Sequence, residues 1–246
     1  MNKKTLAALA LTAALGASPA WAAEVVSANT VGYQKVTLVP GFNFVAPQFL
    51  TVGGGSIDIQ SVHLDVADAD ATGGDNIQIL DADGNPVAQY YWFPAEWIDG
   101  VKSGWVDETG DRAAVDIANG LAVLIEAVDD STVTISGEVC TNDAATVSVA
   151  GFNFVGNASP VEVDIQDFQI DIADADATGG DNIQILDDTF NPVAQYYWFP
   201  AEWIDGVKSG WVDETGDRAQ VSIAPGQGFL FESVDDGTVI SAPAAQ

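Results

Sequence analysis

Apolar and polar residues alternate with a period of two along much of this chain, the pattern of a strand with one buried face. Gln34 to Val39 places Val36 and Leu38 on one side. Phe42-Asn43-Phe44, Ile77-Gln78-Ile79, Val115-Asp116-Ile117 and Val133-Thr134-Ile135 alternate in the same way. Val161-Glu162-Val163-Asp164-Ile165 is the clearest run and predicts a strand. β-Branched and aromatic residues fill these runs, which suits a pleated, half-buried surface. The only helical expectation after the N-terminal segment is a single turn at Pro94-Ala95-Glu96-Trp97.

The punctuation between runs fits tight reversals. Pro40-Gly41 and Pro225-Gly226 suit a type II turn, with proline fixing the first φ and glycine taking the positive one. Asn119-Gly120 occupies the place of Pro225-Gly226 and reads as a hairpin turn. Asp81-Ala82-Asp83-Gly84-Asn85 is expected to reverse the chain between Ile77–Leu80 and Val87–Phe93.

The chain repeats itself. Ala67 to Asp81 reads ADADATGGDNIQILD, and so does Ala173 to Asp187. Asn85 to Ala113 recurs without change at Asn191 to Ala219, an offset of 106. Gly41-Phe42-Asn43-Phe44-Val45 recurs at Gly151 to Val155, an offset of 110, so copy one carries four extra residues near Gly53-Gly54-Gly55. A surface loop is expected there. The division is 1–22 as a signal peptide, 23–139 as one β-module and 140–246 as a second. The expected fold class is all-β, two tandem homologous β-sandwich or open-barrel modules. A module of about 100 residues can hold its own core. The short linker at Cys140-Thr141-Asn142-Asp143 predicts that the copies pack as a pseudo-two-fold pair.

Copy two opens with Gly151-Phe152-Asn153-Phe154-Val155-Gly156-Asn157, carries Asn182-Ile183-Gln184-Ile185-Leu186-Asp187 in its middle, and closes with Ile223-Ala224-Pro225-Gly226-Gln227-Gly228-Phe229-Leu230-Phe231. This resembles secreted bacterial β-modules that open with a Gly-aromatic-Asn strand and end in a Pro-Gly-Gln-Gly-Phe strand. The resemblance implies secreted or cell-surface β-domains and no catalytic residues. Copy one departs at the closing strand, with Asn119-Gly120-Leu121-Ala122-Val123.

The N-terminus changes the compartment expected. Asn2-Lys3-Lys4 is a positive n-region and Leu6 to Leu15 an apolar stretch too short to span a bilayer. Ala20-Trp21-Ala22 gives the small-x-small cleavage pattern, so the mature chain is expected to start at Ala23. No other long apolar run predicts a transmembrane segment. The expected location is the periplasm, the cell surface or the medium.

The chain holds 36 acidic and 7 basic residues, net −29. Loss of Lys3 and Lys4 with the signal leaves 5 basic residues, net −31. That charge repels phosphate backbones and argues against nucleic acid as a partner. Calcium or a cationic partner suits it, as does a salt-screened soluble surface. With 48% hydrophobic residues the chain can nevertheless bury a core.

Two repeated constellations could carry chemistry. Asp68, Asp70 and Asp75, with Asp174, Asp176 and Asp181, lie in Asp-x-Asp-x-Thr-Gly-Gly-Asp loops. Such loops gather carboxylate and carbonyl oxygens for Ca²⁺, though no EF-hand glutamate stands at the twelfth position. Calcium is the candidate cofactor, and an acidic solvated turn the plain alternative. Trp92, Trp97 and Trp105, with Trp198, Trp203 and Trp211, are candidate binding residues, because exposed indoles beside carboxylates stack on sugar rings. Core packing is the competing expectation. His63 becomes Gln169 in copy two and Cys140 lies between the copies, so neither supports a duplicated nucleophilic site. Zinc would need His or Cys clusters that the sequence does not contain. The function expected is a non-catalytic secreted or cell-surface structural/interaction protein, not an enzyme, whose partner is a glycan or another surface protein. The alternatives are a carbohydrate-binding protein and, third, an acid-pair glycan hydrolase.

Overall fold

The computed structural model describes residues 31–66, 74–93, 104–139, 144–171, 180–199 and 210–243. The fold is all-β, and every strand pairing among the described residues is antiparallel. Copy one contains β1 (Val31–Leu38), β2 (Gly41–Val45), β3 (Phe49–Leu50), β4 (Ser56–Asp58), β5 (Val62–Val66), β6 (Asn76–Leu80), β7 (Pro86–Phe93), β8 (Gly104–Val106), β9 (Asp116–Ala118), β10 (Val123–Ala127) and β11 (Ser131–Val139). Copy two contains β12 (Ala144–Val147), β13 (Gly151–Gly156), β14 (Val163–Asp164), β15 (Gln169–Asp171), β16 (Asn182–Leu186), β17 (Pro192–Phe199), β18 (Gly210–Val212), β19 (Ser222–Ile223), β20 (Gly228–Ser233) and β21 (Val239–Ala242).

Each copy builds a five-stranded sheet in the same order, β2-β10-β6-β7-β8 and β13-β20-β16-β17-β18. In copy one, β11 lies between β1 on one side and β3 and β5 on the other; β21 lies between β12 and β15. Alternation explains the register. Val133 stands opposite Val36 and Leu64, and Ile135 opposite Gln34 and Val62. Val62, Leu64, Val133 and Ile135 meet Ile77, Ile125, Trp92 and Trp105 from the five-stranded sheet in one buried cluster, with Val36 packed against it. Ile165, Phe168, Ile183, Phe229, Phe231, Trp198 and Trp211 form the matching cluster of copy two.

The extra residues of copy one add β3, which pairs with the end of β11 at Glu138 and Val139. Beyond it, Gly53 and Gly55 have no neighbour within 4 Å of a Cβ position. This is the surface loop that the repeat offset places there.

The strand expected over Val161–Ile165 is shorter than its alternation suggests. Only Val163–Asp164 pairs, and Ile165–Asp167 turns into a 3₁₀ helix, as Ile59–Ser61 does in copy one. The cause is a local cap. The Asp164 carboxylate accepts from the Gln166 N–H at 2.9 Å, and Asp58 does the same for Gln60. A side chain that bonds the backbone two residues on competes with the ladder. The single turn expected at 94–97 lies outside the described residues.

The two five-stranded sheets meet through their outer faces. Phe42 donates its N–H to the Asp188 carbonyl at 2.9 Å, and Phe152 donates to Ala82 at 2.8 Å. Ala46 donates to Gly226 at 2.8 Å, and Gly156 to Gly120 at 3.1 Å. The sequence offsets of 110 and 106 convert each bond into the other. Phe44 and its counterpart Phe154 stack at 5.8 Å with rings 5° apart. Ala46, Ala122, Phe154 and Leu230 are buried in this third cluster.

Candidate functional site

The aromatic candidates lie in the cores. Trp105 and Trp211 are fully buried, and Trp92 and Trp198 are 4% and 7% exposed. Trp92 and Trp105 pack edge to face at 5.2 Å, and Trp198 and Trp211 at 5.3 Å. Each inner indole is anchored by its N–H: Trp105 donates to the Val62 carbonyl, and Trp211 to Phe168 at 3.0 Å. The expectation that these four stack on sugars is therefore corrected: an indole with no open face has nothing to offer a ligand. Register explains the placement, since Trp92 and Trp198 pair with Trp105 and Trp211 on the core side of the sheet. Trp97 and Trp203 lie outside the described residues.

Of the calcium candidates, Asp75 and Asp181 are described, and both are buried at 5% and 2% exposure. Their carboxylates brace the loop after the preceding strand of the ladder. Asp75 accepts from the Val128 N–H at 2.8 Å; Asp181 accepts from Val234 at 2.9 Å and from the Ser233 hydroxyl at 3.2 Å. These bonds fall on Oδ1 of each carboxylate and tie it to the backbone. Asp68, Asp70, Asp174 and Asp176 lie outside the described residues. Among the described residues, no group of three or more His, Cys, Asp or Glu side chains could hold a metal ion.

Exposed aspartates instead organise turns. Asp107 accepts from the Thr109 N–H and hydroxyl and the Asp111 N–H, and Asp213 repeats this with Thr215 and Asp217. The threonine hydroxyls are the largest cause and, joined by the turn N–H groups, hold both carboxyls below the usual carboxylate range against a desolvation effect that ranks second and exceeds any single N–H contribution. Asp81 and Asp187 are lowered chiefly by the N–H groups of Asn85 and Asn191.

A repeated polar cluster on the outer sheet face was missed in the sequence. Glu126 of β10 stands beside Asn76 of β6 and accepts from its amide at 3.0 Å and from Gln78 at 3.2 Å. Gln78 also donates to Asn76 Oδ1 at 3.0 Å. In copy two Glu232 accepts from Asn182 and Gln184 at 3.0 Å each, and Gln195 adds a bond to Asn182 Oδ1 at 3.0 Å. Tyr91 and Tyr197 are the half-buried cross-strand neighbours of Asn76 and Asn182. The signal was present in the repeat. Between Val123–Ala127 and Phe229–Ser233 only Leu124/Leu230 and Glu126/Glu232 are retained. A half-buried carboxylate flanked by amides can accept from, and the amides donate to, a ligand rich in hydroxyls.

His63 lies on the exposed side of β5 with its ring 4.9 Å from Trp92, and Gln169 replaces it in copy two. Comparisons with protein-family models, curated proteins and solved structures find no match. Among the described residues, no helix is long and apolar enough to cross a membrane.

Proposed function

We propose that the chain is a non-catalytic structural/interaction protein of the exported compartment, built from two copies of one β-sandwich module docked as a pseudo-two-fold pair. The observation that carries this is the reciprocal set of backbone hydrogen bonds between the five-stranded sheets. Phe42 to Asp188 is mirrored by Phe152 to Ala82, and Ala46 to Gly226 by Gly156 to Gly120. Such a pair presents duplicated surfaces at a fixed spacing, which suits a scaffold or a bivalent binder. The reading matches the signal-like N-terminus and the resemblance of copy two to secreted β-modules. Fractionation of the native cell, with the mature N-terminus sequenced, tests the compartment. Recovery in the cytoplasm with Met1 retained would refute it.

The second reading, glycan binding, now rests on Glu126, Asn76 and Gln78 and their copies rather than on the tryptophans. A glycan array on the full chain separates the two readings. Binding that is lost in E126Q/E232Q favours the glycan reading, and no binding across the array favours the scaffold.

A further inference from the structure

Each copy fixes one half-buried carboxylate on the outer face of its five-stranded sheet. Glu126 Oε2 receives the amides of Asn76 and Gln78 at 3.0 and 3.2 Å, and Glu232 Oε2 those of Asn182 and Gln184 at 3.0 Å each. The asparagine amides are themselves held, because they also donate to the Gly74 and Gly180 carbonyls at 3.1 and 3.0 Å. These bonds set the orientation of both carboxylates. Among the described residues no bond reaches Oε1 of either glutamate, and neither pairs with a lysine or arginine. Oε1 is not sealed from solvent.

Directly opposed residues share a sheet face, so Glu126 stands in the row Phe42, Glu126, Asn76, Tyr91 across β2, β10, β6 and β7. Glu232 stands in the matching row Phe152, Glu232, Asn182, Tyr197. All four rings are half-buried, Phe42 with Phe190 at 6.0 Å on its edge. A carboxylate oxygen beside an aromatic ring suits a side chain with an apolar stem and a cationic tip. The carboxylate decides which cation. A guanidinium fork bonds both oxygens at once, and here Oε2 is already filled by two amides. An ammonium is a point charge that needs only one oxygen. A neutral hydroxyl donates to Oε1 as well, but it leaves the half-buried charge uncompensated. The net charge of −29 also draws cations to the surface.

We propose that Glu126 and Glu232 are paired docking points for lysine side chains of a basic protein segment. The proposal rests on the interaction-protein reading above and gives it a partner of stated chemistry. The ammonium meets Oε1, and the methylene stem lies along Phe42 in copy one or Phe152 in copy two. The reciprocal bonds between the copies hold the two points at one spacing, so a segment with several lysines gains avidity when it spans both.

The test titrates the full mature chain with octalysine and with octaarginine by calorimetry, at a fixed high ionic strength that screens distant carboxylates. E126Q/E232Q keeps an oxygen for the amides and removes two charges. D107N/D213N removes two charges from exposed turns and is the charge-matched control. Octalysine should bind wild type saturably, and octaarginine several-fold more weakly. E126Q/E232Q should weaken octalysine by about tenfold or more, and D107N/D213N by less than about twofold. No saturable binding to wild type, equal loss in the two variants, or octaarginine binding as tightly as octalysine would each overturn the proposal. Array binding lost in E126Q/E232Q without octalysine binding would give the same carboxylates to a glycan instead. The lysine–arginine comparison on wild type decides even if E126Q/E232Q fails to fold. The scaffold reading survives these failures, since cell fractionation tests it separately.

Discussion

The side chains of Gln60 and Gln166 stitch three segments of each copy together, and their removal gives a calculable loss. Gln166 Nε2 donates to the Trp211 carbonyl at 2.8 Å and the Ala219 carbonyl at 2.9 Å, while Oε1 accepts from the Trp211 N–H at 3.1 Å. The Trp211 carbonyl also receives the Ala219 N–H at 2.9 Å, so it keeps a partner without the glutamine. Two groups do not: the Trp211 N–H and the Ala219 carbonyl. A buried polar group left unpaired costs about 1–3 kcal/mol. Gln166 is itself half-buried, so water reaches part of the vacated space, and Q166A should lose about 2–3 kcal/mol, the lower part of the summed range. For a cooperative unit of this size that is a fall in Tm of about 5–10 °C.

The assay is urea unfolding followed by tryptophan fluorescence and far-UV circular dichroism. Q166E is the discriminating partner variant. It sets a carboxylate oxygen against two carbonyl oxygens and should be worse than alanine, whereas loss of packing alone would make it milder. Q60A should cost the same as Q166A, because Gln60 makes the same three bonds to Trp105 and Ala113. Stability of Q166A within about 0.5 kcal/mol of wild type, or Q166E no worse than Q166A, would refute the argument.

Three further outcomes are expected. The folded-state pKa values of Asp107 and Asp213 are depressed, so their stabilisation is present above the unfolded carboxylate value near ~3.9 and is lost as pH falls through the folded value. In D107N/D213N, where the amide oxygen still accepts from the turn, a Tm–pH series should show a flatter acid limb. Added Ca²⁺ at constant high ionic strength should shift the Tm of wild type and of the D68N/D70N/D174N/D176N variant equally if the loops are solvated turns; a rise confined to wild type establishes calcium sites. W211F should lose about 2–4 kcal/mol in the same urea assay, from a cavity and from a Phe168 carbonyl deprived of its indole partner.

The strands were legible because period-2 alternation survives wherever one face is buried, as at Val133 and Ile135. Val161–Ile165 misled because the Asp164 cap ends the strand after two paired residues, and alternation does not register a side chain bonding its own backbone. The tryptophans were ambiguous for a related reason. Tyr90-Tyr91-Trp92-Phe93 is aromatic on both faces, so only the partner strands decide which face is inside: Tyr90 opposes buried Ile77, and Tyr91 opposes Asn76. The Glu126 cluster escaped notice because its members come from two strands distant in sequence. Charge and acidity drew attention to the Asp-rich loops instead, yet the two described members, Asp75 and Asp181, serve the backbone.

A duplicated sequence cannot dock on itself at a two-fold axis unless the residues on that axis suit their own counterparts, and two positions show where this copy pair had to diverge. Ala46 in copy one corresponds to Gly156 in copy two, and Ala122 to Gly228. These counterparts face each other. A Cβ at Gly156 would lie 2.5 Å from the Ala46 Cβ and 2.7 Å from the Gln227 carbonyl oxygen; one at Gly228 would lie 2.7 Å from the Ala122 Cβ and 2.9 Å from the Phe44 Cβ. All four obstacles are backbone or Cβ atoms, which no rotamer change can clear. Alanine on both sides is therefore incompatible with the reciprocal bonds beside it, from Ala46 to Gly226 and from Gly156 to Gly120. G156A/G228A makes the two copies alike at these positions. It should loosen the junction while leaving each core intact, giving a larger radius of gyration by small-angle scattering and two melting transitions or one lowered one. A46G/A122G restores the complementary space in that background and should bring back the compact form. An unchanged radius and melt in G156A/G228A would mean that the sheets can slide apart without loss, and that the small residues are incidental to how the copies meet.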